Sequence, residues 1–214
     1  DFERFGGRAF LQTKALNDRL TLAFNDMEFA AKIGVSRTPV REAVIQLSEE
    51  SRIIEIFPQR GMRIAPIDVE LVEEARSLRV LLEKQIAGMC CEMATEEDIK
   101  WLQENVGLQE FYMENSRPEM VMQLDDEMHH KLFMICHREL TYGMCQKLAI
   151  HYDRIRSLSV NTVKDNTIIE DHRKIIQFIA EHKKENAMAQ MEKHLSRWQL
   201  NEGKFRQEFP DYFK

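Results

Sequence analysis

The stretch Gly34-Val-Ser-Arg-Thr-Pro-Val-Arg-Glu-Ala-Val44 decides the fold of the N-terminal part of the chain. Gly34 is suited to the left-handed backbone that ends many helices, and Ser36 is a favourable N-cap for a second helix. A proline in the first turn of that helix costs little, because the amides there have no partner within the helix. The stretch therefore predicts two short helices joined by a turn, as in a helix-turn-helix.

The preceding residues predict where the first helix begins. Asn25 and Glu28 have the spacing of a capping box, in which each side chain accepts a hydrogen bond from a free amide at the helix start. Phe24 and Phe29 are placed to pack together as a hydrophobic staple. We therefore expect the first helix to begin at Asp26.

Two short β-prone runs, 54–57 and 62–65, follow the second helix. The residues between them, Pro58-Gln-Arg-Gly61, are typical of a tight turn. This pattern predicts a β-hairpin, or wing, attached to the helix-turn-helix.

The candidate DNA contacts lie at two places in this unit. Arg37, Thr38 and Arg41 open the second helix, and we expect them to face the major groove, where arginine binds guanine or phosphate. Arg60 and Gly61 lie at the tip of the wing, from which Arg60 can reach phosphate or the minor groove.

Residues 24–65 resemble the winged helix-turn-helix of the GntR family of bacterial transcription regulators. The family hallmark Val-Ser-Arg-Thr-Pro-Val-Arg-Glu-Ala is present from Val35 to Ala43, and the Gln-Arg-Gly of the wing follows. The resemblance implies a regulator that binds double-stranded DNA. Because a twofold homodimer presents two equivalent recognition helices, it also implies a palindromic operator.

Length and composition predict two domains, a winged helix-turn-helix at 1–66 and an effector domain at 67–214. The chain has 214 residues, of which 43% are hydrophobic and 31% charged, as in a globular protein with a sizeable core. We see no membrane-spanning stretch and no signal-peptide pattern, and expect a cytoplasmic protein without a membrane partner. The four cysteines lack a C-x-x-C spacing, which favours buried reduced thiols.

The formal net charge of −6 is unevenly distributed along the chain. Residues 1–66 carry 10 basic and 9 acidic side chains, whereas residues 67–214 carry 20 and 27. The acidic surplus therefore lies in the second part. We expect DNA binding through local arginines, with modest affinity per head and strong dependence on salt.

Beyond Pro66 the sequence changes to long helical periods with almost no glycine. Thr95 and Asp98 form a further capping-type start, and Pro118 opens another helix. The second domain is predicted to be an all-α antiparallel bundle, so that the whole chain is mainly α. The predicted helices are 68–91, 95–115, 118–136, 139–160, 165–181 and 185–205.

Four residues of the bundle are candidate metal ligands. Asp125 and His129 are four residues apart, which places both on one face of a helix. His172 and His194 lie on the last two long helices and can converge on the same point. Spacing alone leaves open that these are ordinary hydrogen-bonded histidines. Asp126 and His130 have the same spacing but face another direction, and we expect them to be solvated surface.

Residues 69–200 resemble the helical effector domain of the FadR subfamily, called the FCD domain. The matching motifs are Leu124-Asp-Asp-Glu-Met-His129, Glu170-Asp-His172, Met191-Glu-Lys-His194 and Arg79-x-x-x-Glu83. The resemblance implies that Asp125, His129, His172 and His194 bind a divalent metal. Ligands of this type suit zinc or nickel, and also manganese or iron. Where the family commonly has Gly-Asn after the Asp/His helix, this chain has Arg138-Glu139.

The sequence therefore predicts a regulator, a repressor, whose effector domain binds a metal and a small carboxylate. Arg79 is the candidate partner for the carboxylate, although an intrahelical ion pair with Glu83 is an equal alternative. A second hypothesis is a DNA-binding regulator with a purely structural metal. A third is a metal-dependent enzyme, but no recognisable general base accompanies the motifs, and we predict that the protein is not an enzyme.

Overall fold

The computed structural model of the chain describes residues 23–24, 26–50, 52–58, 61–162 and 167–214. The predicted capping residue Asn25 and the predicted wing contact Arg60 lie outside these residues, as do the side chains of Phe24 and Phe29. The N-terminal part contains β1 (Ala23–Phe24), α1 (Asp26–Ile33), α2 (Arg37–Glu50), β2 (Ile54–Phe57) and β3 (Gly61–Ile64).

The helix-turn-helix forms as the sequence predicts, and α1 begins at the expected residue. Gly34 follows α1 with a φ of +73°, in the left-handed region that favours glycine. The amide of Val35 donates to the carbonyl of Ala30 at 3.1 Å, which closes the C-terminal end of α1. α1 and α2 pack together, and Ala30, Val40 and Val44 are buried.

The wing is part of a three-stranded antiparallel sheet with the order β1-β3-β2. The hairpin pairs Phe57 with Gly61, whose φ of +97° again requires a left-handed residue. β1 pairs with the outer edge of β3 and places Ala23 opposite Arg63. The hairpin was predicted but β1 was not, because a two-residue strand has no readable alternation of apolar and polar side chains.

The C-terminal part is helical, and the predicted fold class is confirmed: a winged helix-turn-helix is followed by an antiparallel helical bundle. Thr95 and Asp98 form the predicted capping box at the start of α4, and Pro118 is the first residue of α5. The helices are α3 (Val69–Met93), α4 (Glu96–Glu114), α5 (Pro118–Ile135), α6 (Glu139–Thr162), α7 (Thr167–Ala180), α8 (Lys184–Leu195) and α9 (Trp198–Glu208), followed by a 3₁₀ turn (Pro210–Tyr212).

The turn between α5 and α6 is tight although it lacks glycine. His137 adopts a φ of +54°, and its amide donates to the carbonyl of Met134 at 2.9 Å. The amide of Arg138 donates to the carbonyl of Phe133, also at 2.9 Å. The pattern is that of a helix end with a left-handed residue, so Arg138-Glu139 does not prevent a close connection between the two helices.

α4 occupies a central place in the bundle because it packs against both α5 and α7. α5 also packs against α6, and α7 against α8. Apolar side chains of α3 complete the core, with Ile86, Ala87 and Cys90 buried. All four cysteines are free and buried, as the sequence predicts.

The chain divides into two compact units. The first contains the described residues up to Val69 together with Phe205–Lys214, and the second is Glu70–Lys204. Phe205–Lys214, which the sequence analysis placed with the helical domain, thus falls in the first unit, where Phe213 forms a β-bridge with Ile67. Among the described residues, no helix combines the length and the apolar character that crossing a membrane requires.

Candidate functional site

The opening of α2, which the sequence predicts to contact DNA, exposes two arginines that differ in their contacts. Arg37 donates from Nε to Asp26 Oδ2 at 2.9 Å, which ties the start of α2 to the start of α1. Hydrogen bonding to Arg37 lowers the pKa of Asp26. Thr38 and Arg41 are exposed, and so is the Arg37 side chain over much of its surface. Arg41 therefore is the cleaner candidate for a base contact.

The four predicted metal ligands come together in the helical bundle. Asp125 and His129 project from successive turns of α5, His172 from α7 and His194 from the last turn of α8. Each offers one ligand atom, and these atoms lie within 4.8 Å of one another. All four side chains are buried.

The distances within this cluster suit ligands that surround a single point. Nε2 of His194 lies 3.2 Å from Nε2 of His172 and 3.3 Å from Nε2 of His129. Oδ1 of Asp125 lies 3.2 Å from Nε2 of His172, and Oδ2 lies 3.8 Å from Nε2 of His129. Two ligands that are each about 2.0 to 2.2 Å from one ion lie roughly 3 to 3.5 Å apart.

Hydrogen bonding around the cluster directs acceptors toward its centre. Nδ1 of His129 contacts Oε2 of Glu83, and because a carboxylate only accepts, that nitrogen carries the proton. With one proton on the ring, Nε2 of His129 presents a lone pair to the cluster, as do the oxygens of Asp125. Nδ1 of His194 is buried without a hydrogen-bond partner among the described residues. A cation at the centre satisfies these converging lone pairs, so the donor set fits a divalent metal.

Two histidines of the cluster, His172 and His194, are held in the neutral form that binds metals. Burial lowers the pKa of His172, and burial together with the neighbouring imidazoles lowers that of His194 well below its usual range. Burial alone would raise the pKa of Asp125. Arg156 and the two nearest histidines outweigh burial and keep that pKa well below its ordinary value. Near neutral pH the carboxyl group of Asp125 is thus ionised, and the imidazoles of His172 and His194 hold no extra proton.

Arg156 is a residue of this site that the sequence analysis missed. Its guanidinium contacts Oδ2 of Asp125 and donates to Asp126 at 3.0 Å and to Asp153 at 2.6 Å. The prediction that Asp126 and His130 are solvated surface is wrong. The Asp126 side chain is only 15% exposed, and the His130 ring stacks on Tyr142 with centroids 4.5 Å apart.

Arg79, the predicted carboxylate partner, makes the intrahelical ion pair that was its alternative role. Nε donates to Oε1 of Glu83 at 2.6 Å, and both side chains are buried. Burial would raise the pKa of Glu83, but Arg79 and His129 outweigh it and lower that pKa to about 2. The Arg79 guanidinium also lies over the Tyr152 ring, 5.1 Å from its centroid.

A small cavity of about 50 Å³ adjoins the cluster, and Asp125 and His194 are among its lining residues. Three arginines reach it, namely Arg79, Arg156 and Arg197. A larger groove of about 420 Å³ lies between α4 and α7, but no cluster residue lines it. The smaller cavity is thus the one in which charged groups and two of the candidate metal ligands meet. The remaining lining residues are Val121, Met122, Tyr152, Ser159 and Ile168.

Arg197 was also missed by the sequence analysis. Its Nε contacts Oδ2 of Asp171, a fully buried carboxylate next to His172 in the sequence. Oδ1 of Asp171 accepts a hydrogen bond from Gln190 Nε2 at 2.6 Å. Asp171 thus fixes the position of Arg197 at the edge of the cavity.

Comparisons with known proteins agree with this architecture. The FCD domain matches residues 74–197. The HTH-type transcriptional repressor RspR of Escherichia coli (strain K12) is 28% identical over 190 residues, which cover 88% of this chain and 83% of RspR. The chain belongs to the GntR family of transcription regulators, in the FadR subfamily with an FCD-type effector domain.

Solved structures show the same fold. E. coli McbR/YncC superposes with a TM-score of 0.75 at 16% sequence identity, covering 97% of this chain and 98% of that chain. A GntR family member from Pseudomonas syringae pv. tomato str. DC3000 gives a TM-score of 0.52 at 20% identity, covering 96% of this chain and 89% of that chain. The likeness to these structures concerns the fold, whereas the FCD match and the relative RspR identify the chain as a DNA-binding transcription regulator.

Proposed function

We propose that this regulator is a repressor that binds a palindromic operator as a homodimer and responds to a small carboxylate. Asp125, His129, His172 and His194 hold a divalent metal, zinc or nickel, in its effector domain. The observation that carries the proposal is the convergence of these four buried side chains, with ligand atoms within 4.8 Å of one another. The relative RspR is a transcriptional repressor, which supports the direction of regulation.

The charges around the cavity explain why a carboxylate effector would need the metal in order to bind there. Each of the three arginines that line it already pairs with carboxylates: Arg79 with Glu83, Arg197 with Asp171, and Arg156 with three aspartates. Five carboxylates thus surround three guanidiniums, which leaves no positive surplus for a ligand. A bound divalent ion would supply the missing positive charge and attract a carboxylate oxygen.

The cavity walls set the kind of carboxylate. Arg156 and Arg197 lie where they can donate to oxygens of the ligand, while the Tyr152 hydroxyl donates to the Leu195 carbonyl at 2.9 Å. Val121 and Ile168 contribute apolar surface to the lining of the cavity. With about 50 Å³ available, the effector is a compact acid of a few carbon atoms.

The chain itself offers a route from this cavity to the DNA-binding unit. His194 lies in the last turn of α8, Arg197 follows it, and α9 then runs from the second compact unit into the first, which begins again at Phe205. An effector changes operator affinity only by the difference between its affinities for the two states of the protein. We infer that the carboxylate favours the state that binds the operator more weakly.

A thermal-shift screen tests the proposed site. The probes are acetate, pyruvate, lactate, malonate and succinate, each at saturating concentration, with acetamide and lactamide as neutral controls. A ligand at about 100 times its Kd stabilises a protein by about 2.7 kcal/mol, which corresponds to roughly 5 to 10 °C for a chain of this size. We expect this shift from at least one acid on zinc-loaded protein and none after chelation. Equal shifts in both preparations would reject a site that includes the metal.

A purely structural metal remains the second candidate, and the buried position of all four ligands favours it. Under this hypothesis chelation unfolds the bundle, as it does in small zinc domains. Circular dichroism of the chelated protein separates the two, because a sensor stays helical when the metal is removed.

A further inference from the structure

Two buried side-chain amides of α4 adjoin the cluster, although α4 supplies none of its four members. Gln109 is fully buried and Asn105 is 4% exposed, and they are one helical turn apart. Oε1 of Gln109 lies 2.8 Å from Nδ1 of His172. Nε2 of Gln109 donates to Oδ1 of Asn105 at 2.7 Å, and Nδ2 of Asn105 donates to the carbonyl of Leu124 at 3.1 Å.

These three contacts form a relay that runs from the Leu124 carbonyl through Asn105 and Gln109 to His172. The Leu124 carbonyl fixes the direction of every hydrogen bond in it. The Leu124 carbonyl only accepts, so the NH₂ group of Asn105 must face it, and the oxygen of Asn105 faces Gln109. That oxygen requires the NH₂ group of Gln109, which turns the Gln109 oxygen toward His172. His172 must therefore carry its proton on Nδ1, and the lone pair of Nε2 faces the cluster.

We propose that Asn105 and Gln109 are positioning residues of the metal site: their relay selects the Nδ1–H tautomer of His172 and ties its ring to the backbone of α5. The inference rests on the proposed function, since it concerns the metal-binding cluster. The anchor is the residue before Asp125, so one relay connects two ligands that lie on different helices. Because α4 packs against both α5 and α7, it is the element that can join them.

The partner of His172 is an amide, Gln109, whereas the partner of the neighbouring histidine, His129, is a carboxylate. Glu83 contacts His129, and its negative charge is balanced by Arg79. No basic side chain contacts Gln109 among the hydrogen bonds of the described residues, so a carboxylate at this position would be an unpaired buried charge. A neutral amide holds the proton on Nδ1 without that cost.

Gln109→Met tests the relay, because methionine has a similar length and offers no strong acceptor. Loss of a hydrogen-bond partner of a ligating histidine typically weakens metal binding by about 10 to 100-fold. We expect a loss of this size in competition titrations with zinc and a chromogenic chelator. Gln103→Met, an exposed position on the same helix, should bind zinc like the parent.

The tautomer supplies a second readout that general destabilisation does not move. In ¹⁵N-detected NMR of metal-free protein, His172 of the parent should carry its proton on Nδ1. In Gln109→Met it should shift toward Nε2. If Gln109→Met does not fold, Asn105→Ala makes the same test, because it removes the group that orients the Gln109 amide.

The outcomes separate the relay from the proposed function. Parent protein that binds no zinc would refute the metal site, whereas the tautomer of metal-free His172 would still test the relay. A Gln109→Met protein that binds zinc as tightly as the parent and keeps the Nδ1–H tautomer overturns the inference. Weaker binding together with the changed tautomer supports it.

Discussion

Arg41→Ala is expected to remove specific operator binding while the protein stays folded and dimeric. A bidentate arginine–guanine contact contributes about 1 to 3 kcal/mol, and a symmetric dimer loses it twice. The expected loss is about 2 to 6 kcal/mol, or roughly 30-fold to 10⁴-fold in Kd. Arg41 is exposed, so its removal leaves no buried group without a partner. The measurement is fluorescence anisotropy with an operator selected from random DNA.

Two control variants sharpen this test. Arg138→Ala removes an exposed arginine of the helical unit and should leave operator affinity unchanged. Arg37→Ala is expected to lower stability as well as affinity, because it removes the partner of the largely buried Asp26. Unchanged operator affinity in Arg41→Ala at physiological salt would exclude α2 as the recognition helix.

His194→Ala is expected to lower zinc affinity by on the order of 100-fold or more without unfolding the bundle. Partners of ligating histidines alone typically account for about 10 to 100-fold, and a ligand should account for at least as much. Nδ1 of His194 has no hydrogen-bond partner among the described residues, so truncation leaves no group there unsatisfied. Elemental analysis after dialysis against a zinc buffer measures the loss.

His130→Ala is the matched control for this variant. His130 follows the ligand His129 directly but packs on Tyr142, away from the cluster. It should therefore keep the zinc content of the parent protein. Equal zinc in His194→Ala and the parent, with helicity retained, would remove His194 from the ligand set.

The structural elements that the sequence predicted correctly are those determined by residues close to them in the chain. Gly34, Ser36 and the capping box at Thr95 act within a few residues of the chain, and the structure has the predicted helix ends there. β1 was missed because its partner strand lies about 40 residues later, and pairing depends on contacts that no local pattern reveals.

The cluster was predictable only in part. The spacing of Asp125 and His129 shows that they share a helix face, but only tertiary packing, or a family resemblance, links them with His172 and His194. Arg156, Arg197 and the two amides of α4 were not predicted, because the contacts that tie them to the site are made with residues of other helices. The four-residue spacing of Asn105 and Gln109 is the one local feature that indicates a shared face.

The central claim is that the metal makes the protein responsive to a carboxylate. The most direct measurement compares operator affinity with and without the acid that gives the largest thermal shift, in zinc-loaded and in chelated protein that both remain helical. Allosteric couplings of about 1 to 3 kcal/mol correspond to a change of roughly 5 to 150-fold. We expect the acid to weaken operator binding to this extent in zinc-loaded protein and to have no effect after chelation, while chelated protein still binds DNA. The same response to the acid in both preparations would contradict the account.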